Sequence, residues 1–500
     1  MNLKNILVGI DGIKAKGELD KEIRSLENDS RQVQSGDIFF AIKGFSADGT
    51  QYIPAAIEKG ASVIVVEEGT DIKALSLPQE VTLIVVPDIR KAMAISACNY
   101  YHHPSKKFKL VGITGTKGKT TTTFMIKTIL EKQGYKVGLI GTIANYIGDK
   151  CLGDSDRTTP ESISLQKLFS DMAEAKCDVV VMEVSSQSLK LNRVYGSHFD
   201  IGVFTNFSED HISPKEHPDM EDYFASKCKL FEMCPYGFIN ADDLYAQRIP
   251  KVTPECEVTT YGIDNYCKLL AKDITITNSY VDFKVKLADR NERVKTGIPG
   301  RFSVYNSLAA IAVCTKLGCM PETIKEALLE VRVPGRSELV DNKKELTIMI
   351  DYAHSPESLE NILSAAKSYT RGRVICVFGC GGDRDSGKRP IMGEISGRIA
   401  NYTIITSDNP RTEDPEKIVE QIEEGIKKTK GNYEVIVDRK KAIEKAISMA
   451  NKMDIVILAG KGHEPYQEIQ GEKYPFDERV IVRTIIDDLI KKEKQKKKEG

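Results

Sequence analysis

The chain has 500 residues, with 71 Lys and Arg against 72 Asp and Glu. That length predicts about three domains, each able to bury a core, and the balanced charge gives no global pull toward nucleic acid or an anionic membrane. No apolar run reaches transmembrane length, and Met1-Asn2-Leu3-Lys4-Asn5 lacks a signal-peptide core, so no membrane insertion is expected. The 11 cysteines are scattered without metal-type pairing, and several, such as Cys376, lie in apolar runs. A thiol there acts as a small hydrophobe, and the pattern predicts a reduced, cytoplasmic protein.

In chain order, Ile38–Ile42, Ser62–Val66 and Val81–Val86 read as strands and Pro54–Lys59 as a helix. His102-His103-Pro104-Ser105 breaks that pattern and predicts a boundary, giving a first domain over 1–106. Strand–helix alternation continues to about 333, with Val179–Glu183 and Ile201–Asn206 as buried parallel strands ending in polar residues. Residues 251–298 alternate differently and predict an antiparallel insert. Val333-Pro334-Gly335-Arg336 punctuates the next boundary, so the second domain covers 107–333 and the third 334–490. Leu346–Ile350, Val374–Phe378, Tyr402–Thr406 and Ile455–Leu458, separated by helical stretches, predict a doubly wound sheet. Residues 491–500 read as a solvated, frayed charged tail.

The apolar run Phe108–Ile113 leads into Gly-Ile-Thr-Gly-Thr-Lys-Gly-Lys-Thr-Thr-Thr-Thr over 112–123, followed by a helical stretch, Phe124–Lys132. This is a phosphate-binding loop. Its glycines let backbone amides wrap an anion, Lys119 neutralises β/γ oxygens, and the Thr120 hydroxyl can hold Mg²⁺. Ile113 stands where the common pattern has its first glycine; Gly115 makes the shorter Gly-x-x-Gly-Lys-Thr form. Glu183, closing its strand beside this loop, is either a magnesium-holding carboxylate or a helix-entry acid. His211, off another strand end, reads as a packing or capping residue or as a ligand, and Lys227 as an ordinary lysine of an amphipathic helix.

Several segments together resemble the Mur ligase family in order and spacing. They are Gly115-Thr116-Lys117-Gly118-Lys119-Thr120-Thr121, Glu183-Val184-Ser185-Ser186, Thr205-Asn206 with Asp210-His211, and Tyr223-Phe224-Ala225-Ser226-Lys227. Gly300-Arg301-Phe302 with Asn306, Pro334-Gly335-Arg336 and Asp351-Tyr352-Ala353-His354-Ser355-Pro356 extend the match. The family comprises ATP-dependent amide ligases that add amino acids to the UDP-linked muropeptide precursor of the bacterial wall. The resemblance implies an α/β protein of three domains: a UDP-binding domain, a P-loop ATPase domain with a small antiparallel insert, and a Rossmann-like domain that takes the amino acid.

The first-domain loops Asp29-Ser30-Arg31, Gly36-Asp37-Ile38-Phe39 and Lys43-Gly44-Phe45-Ser46-Ala47-Asp48-Gly49 are similar to those of members adding the third peptide residue. On that resemblance, Ser30, Phe45, Ser46 and Ala47 bind the UDP part, and Thr158, Thr159, Ser185 and Arg193 the muramoyl-dipeptide end. Gly115 to Thr121 bind the ATP phosphates, with Asn306, Arg336 and Asp351 around the nucleoside. Thr120, Glu183 and His211 match Mg²⁺ roles. Lys227 matches the lysine these ligases carry as a CO₂-derived carbamate, an anion able to face magnesium where an ammonium would repel it.

In the third domain, Ser407-Asp408-Asn409-Pro410-Arg411 follows a strand at the sheet edge where α/β ligands bind. Asp-Asn-Pro alone is a turn signal, but a guanidinium after it matches a carboxylate bidentately. In the family, Asp-Asn-Pro-Arg marks members taking diaminopimelate, whose distal carboxylate lysine lacks. Arg384, Gly460 and Glu464 match other positions around that amino acid. The implied reaction is ligation of meso-2,6-diaminopimelate to the D-glutamate of UDP-N-acetylmuramoyl-L-alanyl-D-glutamate through an acyl phosphate, by a monomer. The alternatives are a Mur-type ligase adding lysine or another amino acid, and a P-loop ATPase that ligates nothing.

Three departures from the family pattern fall near the dipeptide pocket. His211-Ile212-Ser213-Pro214-Lys215-Glu216-His217-Pro218 is two residues longer than usual, and no role is assigned to His217. Arg157 stands where an asparagine is common, and Leu191 where an amide is frequent.

Overall fold

The computed structural model describes every residue except 45–46, 72–76, 156, 211, 214–215, 289 and 500, and only the backbone of 154 and 496–499. By packing, the chain divides into two compact units, Met1–Leu270 with Leu308–Thr323, and Ala271–Ser307 with Ile324–Gly500.

The first unit holds two sheets among its described residues. One runs Lys14–Lys16, Thr82–Val86, Val63–Glu67, Ile38–Phe40, Leu26–Glu27, parallel except for its first strand. The other is nine-stranded and centred on the P-loop strand Lys109–Thr114, which lies between Val179–Glu183 and Ile201–Phe204. All its strands run the same way apart from Ala144–Ile147, which pairs antiparallel with both of its neighbours, Val137–Ile140 and the edge strand Lys150–Asp154. The central strands read as continuous apolar runs because helices cover both faces. One face packs Leu110, Val180, Met182 and Phe204 against Phe169, Phe199, Leu230 and Phe231.

The second unit holds a six-stranded sheet ordered Glu338–Leu339, Thr347–Asp351, Ile455–Ala459, Val374–Phe378, Tyr402–Ile405, Tyr433–Val435, parallel except for its first strand. Successive residues of one strand feed opposite cores: Cys376 and Phe378 face one cluster, Ile375 and Val377 the other. A three-stranded antiparallel sheet, Lys272–Ile276, Val281–Leu287 and Arg290–Thr296, and a hairpin, Tyr466–Ile469 with Glu472–Pro475, complete the unit's strands.

Three sequence readings are corrected here. The antiparallel insert is shorter than 251–298, because Glu257–Gly262 and Leu269–Leu270 join the parallel nine-stranded sheet. The helix after the P-loop begins at Lys119, not Phe124; its threonine run looks β-like in isolation, yet the loop geometry nucleates the helix. The charged tail is not frayed coil, since the helix Glu478–Glu499 continues through it on helix-favouring Lys and Glu.

Candidate functional site

Parallel register sets the site. Glu183 pairs with Ile113, so its carboxylate emerges at the same sheet edge as the loop that follows Thr114. Gly115 has φ 141° and Gly118 φ 85°. A Cβ on Gly115 would sit 2.0 Å from Thr205 Oγ1, so only glycine lets the loop pass that strand end. Asn206 braces the loop: its Oδ1 accepts from Lys117 N at 2.9 Å, and its Nδ2 donates to Lys117 O at 2.9 Å. Lys119 Nζ caps the carbonyls of Gly115 and Thr116 at 2.9 Å each.

Glu183 is almost fully buried and accepts from three groups. Thr120 Oγ1 donates to Oε2 at 2.9 Å, and Thr142 donates through N to Oε1 at 2.8 Å and through Oγ1 to Oε2 at 3.2 Å. Thr142 Oγ1 also lies 3.0 Å from Thr158 Oγ1. Thr159 Oγ1 donates to Glu183 O at 2.9 Å and accepts from Ser185 N at 3.1 Å. Arg193 reaches Thr159 O at 3.3 Å and Glu161 at 3.0 Å, and Arg157 holds the same Glu161 at 2.8 Å. Thr158, Thr159, Ser185 and Arg193 thus converge beside Glu183.

Lys227 belongs to the helix Met220–Cys228, whose N-cap Asp219 accepts from Asp222 N, a contact worth about 1 kcal/mol. Tyr223 and Lys227, four residues apart, share one face. Lys227 Nζ donates to Gly115 O at 2.9 Å and lies 4.3 Å from the Tyr223 ring centroid. Tyr223 OH is 3.2 Å from Thr116 Oγ1. Burial, then the charge of Lys119, holds the Lys227 amine well below the ordinary lysine pKa, against a weaker pull from Asp210. Lys119, Lys227, Thr158, Thr159, Ser185 and Arg193 all line one cavity of about 320 Å³.

Ser30 follows the strand Leu26–Glu27, and the loop with Ala47 follows the neighbouring parallel strand Ile38–Phe40, so both occupy one sheet edge. Gly44 N donates to Ala47 O at 2.8 Å. Phe45 and Ser46 lie outside the described residues, as does His211.

In the second unit, Asp351 ends its strand and accepts from Ser337 N at 2.7 Å and Ala353 N at 2.9 Å. Burial raises its carboxyl pKa, opposed by the charge of Arg336. The Arg336 guanidinium lies 4.9 Å from the Tyr352 ring centroid, with Nε buried and unpartnered among the described residues. Asn306 is buried on the helix Arg301–Lys316.

Around the strand end at Ile405, Asn409 is the junction. Its Nδ2 donates to Glu464 Oε2 at 2.8 Å, and its Oδ1 accepts from Lys461 Nζ at 2.7 Å and Glu468 N at 3.0 Å. Gly460, φ 115°, would place a Cβ 2.3 Å from Asp408 Oδ2, so the loop closes only with glycine there. Arg411, itself at φ 51° after Pro410, reaches Glu468 Oε2 at 3.1 Å and Gly382 O at 2.7 Å. The second bond ties it to the loop bearing exposed Arg384. Burial raises the Glu464 carboxyl pKa, with Lys461 opposing.

Residues 22–101, 113–314 and 335–462 match, in turn, the Mur ligase family catalytic domain, the Mur ligase middle domain and the Mur ligase glutamate ligase domain. A relative from Clostridium botulinum, named UDP-N-acetylmuramoyl-L-alanyl-D-glutamate–2,6-diaminopimelate ligase, is 46% identical over 98% of this chain and 100% of its own. The chain belongs to the Mur ligase family. A relative of the same name from Caldanaerobacter subterraneus is 47% identical over 97% of this chain and 99% of its own. A solved structure of a ligase with that name superposes with TM-score 0.72 at 30% identity, covering 98% of this chain and 99% of that one.

Against the Mur ligase motifs, sequence reasoning missed Thr142, Asn206 as a brace, Lys461 and Glu468. None has a local signal, because each acts through a partner at least 41 residues away. The structure also changes the status of His217. Ile212 bridges to His217, and Ser213 N donates to His217 O at 2.9 Å, which turns the histidine inward to full burial.

Proposed function

We propose that this Mur ligase joins 2,6-diaminopimelate to the D-glutamate of UDP-N-acetylmuramoyl-L-alanyl-D-glutamate at the expense of ATP. The observation that carries the reading is the cluster of Asp408, Asn409, Arg411 and Glu464, a guanidinium and a carboxylate held by different partners at one sheet edge. That pairing complements an amino acid whose distal end bears both a carboxylate and an ammonium. The whole-length relatives named for this reaction support it.

A carboxylate and an amine do not condense in water, so the acceptor glutamate first takes the γ-phosphoryl group as an acyl phosphate. Lys119 and the P-loop amides hold the phosphates and offset charge as it passes between two anions. Thr158, Thr159, Ser185 and Arg193 bind and orient the dipeptide in the cavity they line with Lys119. The amine then attacks the acyl carbonyl and phosphate leaves. Arg336 and Asp351 hold the nucleoside, the unpartnered Arg336 Nε fitting a ligand acceptor.

The Thr120 hydroxyl on a buried Glu183 carboxylate fits the donor set of a magnesium site, hard oxygens beside a phosphate loop. Bound there, Mg²⁺ supplies charge neutralisation of the phosphates. Lys227 fits carbamate formation, because burial lowers its amine pKa and so favours the neutral form, the one nucleophilic toward CO₂.

The test is ADP release with the UDP-linked dipeptide and one amino acid at a time, with the product read by mass. Release and ligation dependent on diaminopimelate are expected. Hydrolysis indifferent to the acceptor would mean an ATPase that ligates nothing.

A further inference from the structure

His217 is sandwiched between the segment starting at Ser186 and the helix that carries Lys227. Its Nδ1 lies 2.6 Å from Asp222 Oδ2 and its Nε2 2.9 Å from Ser186 Oγ. The Tyr223 ring packs on it at a centroid distance of 5.0 Å. With Nδ1–H donated to the carboxylate, Nε2 is left as the acceptor of the Ser186 hydroxyl. Ser186 and His217 line the same cavity as Lys119 and Lys227, the two lysines beside the phosphate loop.

The charged groups facing this imidazole come from every element around it. Asp222 touches it, Lys190 binds Asp222 from behind at 2.7 Å and also donates to Glu216 O, and Lys227 faces it from the next turn of the Asp222 helix. Burial lowers the His217 pKa, against the hydrogen bond and charge of Asp222, and the two lysines add to the lowering. The ring is therefore neutral at neutral pH, with an open site for one proton.

We propose that Ser186, His217 and Asp222 form the relay that accepts the proton of the attacking amine in this ligase. The inference rests on the ligase reading above. The nitrogen forms its bond to the acyl carbon as the carbon–oxygen bond to phosphate breaks, and inorganic phosphate leaves with that electron pair. The proton shed by nitrogen goes to Ser186 Oγ, whose own proton passes to His217 Nε2, and Asp222 holds the resulting imidazolium. Ser186 is the residue that meets the reacting atoms. His217 acts through it.

The alternative is that His217 only pins the 212–217 segment, and the experiment separates the two. His217→Gln keeps an amide oxygen to accept from Ser186 but cannot store a proton. The full-length variant is assayed with ATP and the UDP-linked dipeptide, once with diaminopimelate and once with hydroxylamine, which attacks as the free base and needs no relay. Expected are a loss of about 10²-fold in kcat for amide formation, disappearance of the acidic limb of the kcat–pH profile, and unchanged KM values. Hydroxamate formation should stay near wild type. If amide and hydroxamate fall together, or if the wild-type rate and pH profile persist, the relay is overturned. Should His217→Gln fail to fold, Ser186→Ala is read by the same split, and a wild-type amide rate there overturns the relay equally. A wild-type enzyme that forms neither product overturns the ligase reading, and the relay with it.

Discussion

Arg411 Nε lies 3.1 Å from Glu468 Oε2, so the guanidinium proposed to take a substrate carboxylate already holds a carboxylate of its own chain. Arg411 Nη1 is fixed on Gly382 O, which leaves its remaining terminal nitrogen for an incoming anion. Glu468 therefore aims the arginine and, on the proposed reading, at the same time repels a distal carboxylate brought to it. Glu468→Gln keeps an oxygen on Nε while removing the charge, and should lower the KM for diaminopimelate several-fold with kcat unchanged. Glu468→Ala, which also loses the aim, should raise it. Steady-state kinetics on the two variants check the pair; equal shifts in both would show that the bond to Nε does no aiming, and an unchanged KM in Glu468→Gln that the charge has no effect.

Lys227 should carry a carbamate in the active enzyme. Lys227→Ala should lose most ligation, with partial rescue by a small carboxylate such as acetate. Labelled bicarbonate should give a carbamate carbon resonance in the wild type that the variant lacks. An unmodified amine in active, ligand-bound enzyme would contradict this.

The same burial predicts a pH-dependent stability for the unmodified protein. The folded chain protonates Lys227 only at lower pH than the unfolded chain does, so between the lowered and the ordinary lysine pKa unfolding takes up a proton and stability rises with pH. In bicarbonate-free buffer Lys227→Met removes this penalty. Its melting temperature should exceed that of the wild type, by more at about pH 6 than at about pH 9.

Much of this was legible in the sequence, and the reason is locality. The P-loop letters, the apolar strands and the strand-end position of Glu183 follow from residues a few places apart, since parallel strands bury both faces and stop at polar residues. Thr142 was not legible, because it meets Glu183 across 41 residues in the neighbouring parallel strand's exit loop. His217 looked like a displaced histidine until the fold set Ser186 and Asp222 on its two nitrogens. The 257–270 strands are not legible as part of the parallel sheet because, lying toward one edge of it, they are only partly buried and lack the continuous apolar run of the central strands.

Thr142 gives the Glu183 carboxylate an orientation that Thr120 alone does not. Thr142→Val removes the bonds to Glu183 Oε2 and Thr158 Oγ1 but keeps the backbone donor. It should cost about 1–2 kcal/mol of stability and raise the Mg²⁺ concentration needed for half-maximal ADP release. Magnesium titration of both proteins, with melting curves alongside, checks this; an unchanged titration would leave Thr142 a packing residue.

Lys119→Ala should abolish acyl phosphate formation, by roughly 10²–10³-fold or more, without unfolding the chain. The lysine donates to the loop carbonyls of Gly115 and Thr116 and lines the cavity. Hydroxamate trapping measures the step directly, and near wild-type trapping with intact folding would refute the phosphate-loop assignment.

On the proposed function, Arg411 reads the distal carboxylate of diaminopimelate. Arg411 is partly exposed and keeps Glu468 as a partner when the distal carboxylate is absent, so the charge-assisted bond lost with lysine amounts to about 1.5–3 kcal/mol, a preference of about ten- to a hundred-fold. The most direct measurement is a competition: equal diaminopimelate and lysine offered together with ATP and the UDP-linked dipeptide, and the two products counted by mass. The wild type should yield the diaminopimelate product almost alone, and Arg411→Ala should lose most of that preference while its KM values for ATP and the dipeptide stay put. A wild type that ligates both amino acids alike, or an alanine variant that discriminates as well as the parent, would contradict the account.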